Sequence, residues 1–513
     1  MARIEVLDLT FCYEGSADLI FEGVSFSVDT DWKVGFLGRN GKGKTTFLQL
    51  LLGKYEYQGR ITASTAFDYF PYQVSAEDLK CLGVDLMEQW KAGCEYWRVC
   101  RELERLSVDA EVLYRPFETL SHGERTKVML AVLFSGEHDF LLIDEPTNHL
   151  DQSARETVKG YLAQKKGFIL VSHDRDLLDA CIDHVLVLNR STIEVQRGNF
   201  SSWWENKRRR DMFVQMENEK HRKEIGKLRQ ASLRSRQWAD QNERSKIGYD
   251  PVKEHERGNG TRPYIGAKTK KMQSRVKQME QRIGREIREQ EGLLQDLECP
   301  VELKMMPLLH HKEVLLEARE YGLWYEGARE PVFCGMGLEI RRGERVFLQG
   351  ENGCGKSSLL KGVLAACGGA EREEKLREMG LREEGVLRAA SGLVISYVSQ
   401  DTSFLRGSIR EFCRERRLEE RLFCAILRQL DLEREQFSKG MEEFSEGQKK
   451  KILLAASLMT PAHLYVWDEP MNYVDVFSRM QIEKVLLACG ATMLVVEHDV
   501  RFVEEIATKV VKM

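Results

Sequence analysis

Two stretches of the chain could wrap a phosphate group. Gly38-Arg39-Asn40-Gly41-Lys42-Gly43-Lys44-Thr45-Thr46 and Gly350-Glu351-Asn352-Gly353-Cys354-Gly355-Lys356-Ser357-Ser358 both fit G-x-x-x-x-G-K-[ST]. Glycines at this spacing let successive backbone N–H groups turn toward an anion, and a following helix adds the partial positive charge of its N-terminus. Lys44 and Lys356 are expected to reach the β- and γ-phosphates of a nucleotide. Thr45 and Ser357 would place a hydroxyl on Mg2+. One such loop could arise in any glycine-rich turn. Two, each behind a short apolar run, point to ATP.

Acids follow at matching places. Asp144 closes the apolar run FLLID and Asp468 closes LYVWD. A buried strand ending in two carboxylates needs a nearby cation, so both aspartates are expected in the Mg2+ shell. By strand alternation Glu145 and Glu469 should point elsewhere, where each could polarise the attacking water. Gln73 and Gln400 follow DYFPY and ISYVS and are candidates to bind the metal or the water. His173 and His498 follow further apolar runs and could contact the γ-phosphate. Tyr13 and Tyr325 suit stacking on adenine, with a plain core role as the alternative. Cys354 lies inside the second loop, beside a lysine and a helix start. It is expected either to react with alkylating agents unless ATP covers it, or to be a buried, inert thiol.

These residues recur in register. Tyr13 precedes Lys44 by 31 residues, and Tyr325 precedes Lys356 by 31. Leu120-Ser121-His122-Gly123-Glu124 is matched by Phe444-Ser445-Glu446-Gly447-Gln448, and both serines lie 23 residues before their aspartate. His173 follows Asp144 by 29 residues, and His498 follows Asp468 by 30. An ordered set repeated in this way means a duplicated domain. Apolar strands (KVGFLG, ERVFLQG, GFILVSHD, TMLVVEHD) interleave with helical runs in each copy. The expected fold is α/β around mostly parallel sheets, with ligands at the carboxyl ends of the strands.

The expected domains are residues 1–202, 203–298 and 299–513. The middle one reads as two antiparallel helices around a breaker-rich tip near 246–263, polar all round and without a core partner. A first helix of about 40 residues would project on the order of 60 Å. The copies differ by a 12-residue excess between Lys356 and Ser445, which includes the charged run 371–384 and reads as a surface loop.

The chain has 513 residues, 42% apolar and 31% charged, which suits two or three soluble domains. No window approaches the ~20 apolar residues of a spanning helix, and the polar start does not read as a signal peptide, so a cytoplasmic location is expected. Twelve scattered cysteines without paired spacing read as reduced thiols. The net charge of −4 hides an asymmetry: residues 205–298 carry 24 Lys and Arg against 16 Asp and Glu, and the remainder 53 against 65. A basic middle on an acidic body suggests a polyanionic partner.

In order and spacing these elements resemble the Walker A, Q-loop, signature, Walker B, D-loop and H-switch of ATP-binding cassette proteins. The run Glu145-Pro146-Thr147-Asn148-His149-Leu150-Asp151 is specific to that likeness. The resemblance implies that the loops bind ATP through Gly38, Asn40, Gly41, Gly43 and Thr46 in one copy and Gly350, Asn352, Gly353, Gly355 and Ser358 in the other. It also implies head-to-tail closure within a monomer, Lys44 facing Ser445 and Gly447, and Lys356 facing Ser121 and Gly123. Two cassettes, no membrane segment and a linker of about ninety residues resemble the ABC-F class, and TDWKVGFLGRNGKGKTTFLQLL, Ile265-Gly266-Ala267 and EPMNYVDVF the Lsa/Vga-type resistance proteins within it. That likeness implies docking on ribosomal RNA and P-site tRNA through the linker, displacing lincosamide, streptogramin A or pleuromutilin antibiotics. A general factor for stalled ribosomes, and a transporter ATPase subunit, are the alternatives. Departures from the family pattern include His122 and Glu446 at a signature position that often holds glycine, and Met471 and Tyr473 where the first copy has Thr147 and His149. Both glutamates remain, so two working sites of unequal rate are expected. With 48 residues between Gln73 and Ser121 no extra arm is expected there, and no C-terminal extension is expected after Met513.

Overall fold

A computed structural model describes residues 3–13, 19–39, 43–136, 139–148, 150–189, 192–244, 274, 277–279, 281–286, 304–368, 372–430, 432 and 434–513. The chain divides into two compact units, one of Met1–Trp203 with Pro300–Met513 and one of Trp204–Cys299.

In the larger unit the architecture appears twice. The first copy contains β1 (Arg3–Phe11), β2 (Phe21–Asp29), β3 (Lys33–Leu37), α1 (Lys44–Leu51), β4 (Gln58–Ala63), β5 (Phe67–Phe70), α2 (Gly83–Trp90), α3 (Tyr96–Arg105), α4 (His122–Leu133), β6 (Phe140–Asp144), α5 (Gln152–Ala163), β7 (Phe168–Val171), α6 (Arg175–Cys181), β8 (His184–Leu188) and β9 (Ile193–Arg197). Strands β5-β6-β7-β3-β8-β9 form one sheet, parallel except for the β8–β9 hairpin. Strands β2-β1-β4 form a small antiparallel sheet. Between the sheets lies α1, whose Phe47 and Leu48 share a core with Val6, Val34, Phe36 and Leu142. Each such buried side chain contributes about 1.5–3 kcal/mol relative to exposure, so the helix behind the phosphate loop is clamped on two faces.

After a 45-residue helix, α7 (Phe200–Arg244), the second copy follows. It contains β10 (Val314–Tyr325), β11 (Phe333–Arg341), β12 (Arg345–Gln349), α8 (Lys356–Ala366), α9 (Arg372–Glu378), β13 (Leu381–Ala389), β14 (Ile395–Val398), α10 (Ile409–Glu415), α11 (Glu420–Gln429), α12 (Glu446–Met459), β15 (Leu464–Asp468), α13 (Val476–Cys489), β16 (Met493–Val496), α14 (Val500–Ile506) and β17 (Lys509–Lys512). The parallel order is β14-β15-β16-β12-β17, and β11-β10-β13 is the antiparallel sheet. The charged run 371–384 is not the expected loop. Arg372–Glu378 is a helix, and Leu381 opens a strand that pairs with β10. Its buried residues, Leu376 and Leu381, pack with Ala365 of α8, an apolar thread that the surrounding charges hide in the sequence.

Described separately, the smaller unit contains most of α7, roughly 67 Å long at 1.5 Å per residue over its 45 residues. The reading of this segment as polar all round is corrected. Val214, Asn218 and Ile225 are buried, and Asp211, His221, Leu228 and Ser232 are half-buried. Steps of three and four residues between these positions make a heptad seam. Polar residues at four of the seven positions conceal it from a hydrophobicity reading. Ile283, in the helical stretch 281–286, is buried as well. The tip at 246–263 and Ile265-Gly266-Ala267 lie outside the described residues. Among the described residues, no helix is long and apolar enough to cross a membrane.

Candidate functional site

The chemistry-bearing residues collect at the carboxyl ends of neighbouring parallel strands. In the first copy β3 leads into the phosphate loop, β6 ends at Asp144, and β7 stops two residues before His173. In the second copy β12, β15 and β16 do the same for the second loop, Asp468 and His498.

Glycine is required where each loop becomes a helix. Gly43 has φ 102°, and a Cβ there would lie 2.5 Å from Ile20 Cγ2. Gly355 has φ 99°, with Val332 Cγ1 only 2.6 Å from the same point. Lys44 is buried, and its amine donates to the carbonyls of Gly38 (2.6 Å) and Arg39 (3.1 Å). Lys356 donates to Gly350 and Glu351, both at 2.8 Å. Each ammonium therefore rests on carbonyls that phosphate oxygens could replace. Burial lowers the Lys44 pKa, against the opposing charges of Asp475, Glu145 and Asp144. Asn40 and Gly41 lie outside the described residues, as does His149.

Thr45 Oγ1 donates to Asp144 Oδ2 at 2.9 Å, and the Tyr69 hydroxyl reaches the same oxygen at 3.2 Å. The Ser357 hydroxyl bonds to Asp468 in the second copy. Burial pushes both aspartates up. Asp468 Oδ1 is buried with no partner among the described residues. Hydroxyl and carboxylate oxygens converging beside an unfilled acceptor fit a small hard cation such as Mg2+.

Strand alternation does not orient the glutamates. Glu145 has φ 51° and Glu469 φ 46°, so the chain turns left-handed just beyond each strand. Their amides still bond to the neighbouring strand, at Val171 and Val496, both at 2.9 Å. Burial, then Asp144, pushes Glu145 up to about 8. Burial, then Glu497 and Asp468, pushes Glu469 to about 7. His173 Nε2 lies 3.2 Å from Glu145 Oε1, and His498 Nε2 lies 3.8 Å from Glu469 Oε1. Burial and the loop lysines lower both imidazoles, His173 well below its usual value and His498 to about 4. Both rings are neutral near pH 7.

The copies differ at the glutamines. Gln400 Nε2 donates to Glu469 Oε2 at 2.8 Å, joined by Asn472 Nδ2 at 2.7 Å. Gln73 is exposed, and no hydrogen bond joins it to Glu145 among the described residues. The tyrosines are alike: Tyr13 shares a 2.8 Å bond with Thr46 Oγ1, and Tyr325 a 3.0 Å bond with Ser358 Oγ. The two residues are 41% and 47% exposed, so neither is a plain core tyrosine. Ser121 and Ser445 each cap a helix, α4 and α12, with reciprocal bonds to Glu124 and Gln448. Gly447 is tight, a Cβ meeting Tyr473 O at 3.0 Å, whereas at Gly123 it would meet Ala154 Cβ no nearer than 3.7 Å.

Charges reach from one copy into the other. Asp475 and Lys451 of the second act on Lys44 and His173, and Asp151 and Arg155 of the first act on His498. Arg175, two residues after His173, forms a buried bidentate pair with Glu483 of α13. Arg501, three residues after His498, binds Asp176 at 2.6 Å and also Asp179. Sequence reasoning missed this contact set. Nothing short of the folded interface pairs residues about 300 positions apart.

A family model described as ABC transporter matches residues 21–148 and 333–472. Along nearly its whole length the chain is similar to the ribosome protection protein VmlR of Bacillus subtilis, 27% identical over 98% of this chain and 85% of that protein. It is also similar to ABC transporter F family member 2 of Arabidopsis thaliana, 24% identical over 96% and 75%. Among solved structures it resembles the RNase-L inhibitor (TM-score 0.60) and the archaeal ribosome recycling factor aABCE1 in complex with stalk protein aP1 (0.58). Each is 18% identical over 98% of this chain and 87% of the other, a likeness of fold. Two matched segments covering more than half the chain, each with its phosphate loop and strand-end acids, mean that the protein belongs to the ABC transporter family and is an ATPase with two copies of the ATP-binding domain.

Proposed function

We propose that this chain is an ABC-F-type ATPase of the cytoplasm. It docks on the ribosome when ATP closes its cassettes, and its linker then clears lincosamide, streptogramin A or pleuromutilin antibiotics from the peptidyl-transferase region. The observation that carries this reading is the likeness to a ribosome protection protein over 98% of the chain, cassettes and linker alike. Residues 1–202 and 299–513 are the cassettes in this account. Residues 203–298 are the arm that meets ribosomal RNA and P-site tRNA, with its basic excess facing a polyanion.

Lys44 and Lys356 exchange loop carbonyls for β- and γ-phosphate oxygens, while the loop amides wrap the chain and Tyr13 and Tyr325 stack on adenine. Thr45 and Asp144 in one site, and Ser357 and Asp468 in the other, with Gln73 and Gln400 beside them, would hold Mg2+, which would supply charge neutralisation at the phosphates. Glu145 and Glu469 orient and polarise the attacking water. Neutral His173 and His498 contact the γ-phosphate. Ser445 and Gly447 complete the site of Lys44, and Ser121 and Gly123 that of Lys356. Hydrolysis removes the ligand that bridges the two halves, and the monomer opens.

The test is drug susceptibility in a sensitive host. Expression should raise the inhibitory concentration of at least one of the three drug classes, and deleting residues 246–263 should abolish protection while ATPase activity persists. The second reading, a general factor for stalled ribosomes, draws on the similarity to a plant F-family member over 96% of this chain. Unchanged susceptibility on expression would favour it.

A further inference from the structure

The two ATP sites, though repeated in register, differ at two buried positions beside the catalytic glutamate. Five residues after Ser445 stands Lys450, where the first copy has Thr126; just before His498 stands Glu497, where the first has Ser172. The second copy thus carries a cation and an anion in place of two hydroxyls. Lys450 is 3% exposed and Glu497 1%.

Both are bonded to backbone that carries catalytic side chains. Lys450 Nζ donates to the carbonyls of Ser399 and Asp468, each at 2.9 Å. These residues immediately precede Gln400 and Glu469, so one amine ties together the ends of two strands. Glu497 accepts from the amides of Met471 (3.0 Å) and His498 (2.8 Å), fixing the turn after Glu469 and the residue that bears the imidazole. Lys450 lies in the field of Asp468, Glu469 and Glu497. No ion pair joins Lys450 to Glu497 among the described residues, so each acts through its own backbone bonds.

Among the described residues the first copy shows no such ties. Thr126 lines a cavity of about 630 Å³ with Tyr72, Asp144 and Glu145. Ser172 accepts locally, from the Asp174 amide at 3.1 Å. It is also there that the glutamine stands away from its glutamate.

We propose that Lys450 and Glu497 are positioning residues that preassemble the second ATP site, whereas the first site, with Thr126 and Ser172, completes its assembly only on binding ATP. The inference rests on the assignment of Glu469 and His498 to hydrolysis, which Glu469→Gln tests separately. Full-length Lys450→Thr, Glu497→Ser and the double variant are compared in steady-state ATP hydrolysis and in thermal melting without nucleotide. Each single change should lower kcat by about ten- to a hundredfold with little change in KM, as expected when catalytic groups are misplaced. Each should also lower the melting temperature by several degrees. The double variant, which removes both sets of backbone bonds, should lose at least as much as either single change. Unchanged kcat and melting temperature in the single variants, or a rise in KM in place of a fall in kcat, would overturn the proposal. Should Lys450→Thr or Glu497→Ser fail to fold, Glu497→Gln, which keeps one acceptor oxygen, decides: a fall in kcat at unchanged KM supports the proposal, and an unchanged kcat refutes it.

Discussion

Glu145 and Glu469 sit where burial favours the neutral carboxyl, at about 8 and about 7. Unfolded carboxyls titrate near ~4.3, so the folded chain binds these two protons more tightly. The stability they contribute is complete below that pH and is lost as pH rises through about 7 to 8. Nucleotide-free Glu145→Gln/Glu469→Gln protein should therefore melt a few degrees above wild type at alkaline pH, the gap closing toward pH ~5. Calorimetry across that range checks it, and a gap of opposite sign would refute it. The same double change should slow hydrolysis by ~100-fold or more, the usual scale of general-base removal. The residues of this site were legible because their types recur at fixed spacing. What was illegible is how far each site is assembled: no spacing separates Gln400, bonded to Glu469, from Gln73, which is not.

At the level of elements, the phosphate loops depend on glycines that no other residue replaces. Gly355→Ala would force a methyl to within 2.6 Å of Val332 at φ 99°. ATP affinity should fall by at least ~10-fold, because strain of ~1–3 kcal/mol opposes the bound conformation. Fluorescent-nucleotide titration measures it, and unchanged affinity would mean that the loop rearranges on binding. The linker seam makes a second prediction. Ile225→Asp places an unpaired carboxylate in a buried position of α7 and should lower helical content and drug protection while sparing ATP hydrolysis. Circular dichroism of the full chain is the check. The strands were legible from runs such as FLLID, whereas the seam was not, since Asp211, Asn218, His221 and Ser232 occupy most of its positions. The helix at Arg372–Glu378 was misread for the same reason: one buried leucine among six charged residues does not make a periodic signal.

Across the whole molecule, the two copies meet through charge. Arg175 and Glu483 are 3% and 5% exposed, and removing one partner strands the other. Arg175→Ala should cost about 3–5 kcal/mol, and Arg175→Met/Glu483→Leu should cost far less. Equal melting temperatures for the two variants would show that the pair is not coupled. The fields of Asp475 on Lys44 and of Asp151 on His498 link each copy to the other's site, which is the physical basis for letting ATP decide how the halves close. The central claim, that this closed form is what the ribosome binds, is tested most directly by sedimentation. Glu145→Gln/Glu469→Gln protein should pellet with ribosomes in ATP and Mg2+, and release steeply as salt rises. Protein that stays in the supernatant with ATP, or pellets equally without it, would contradict the account.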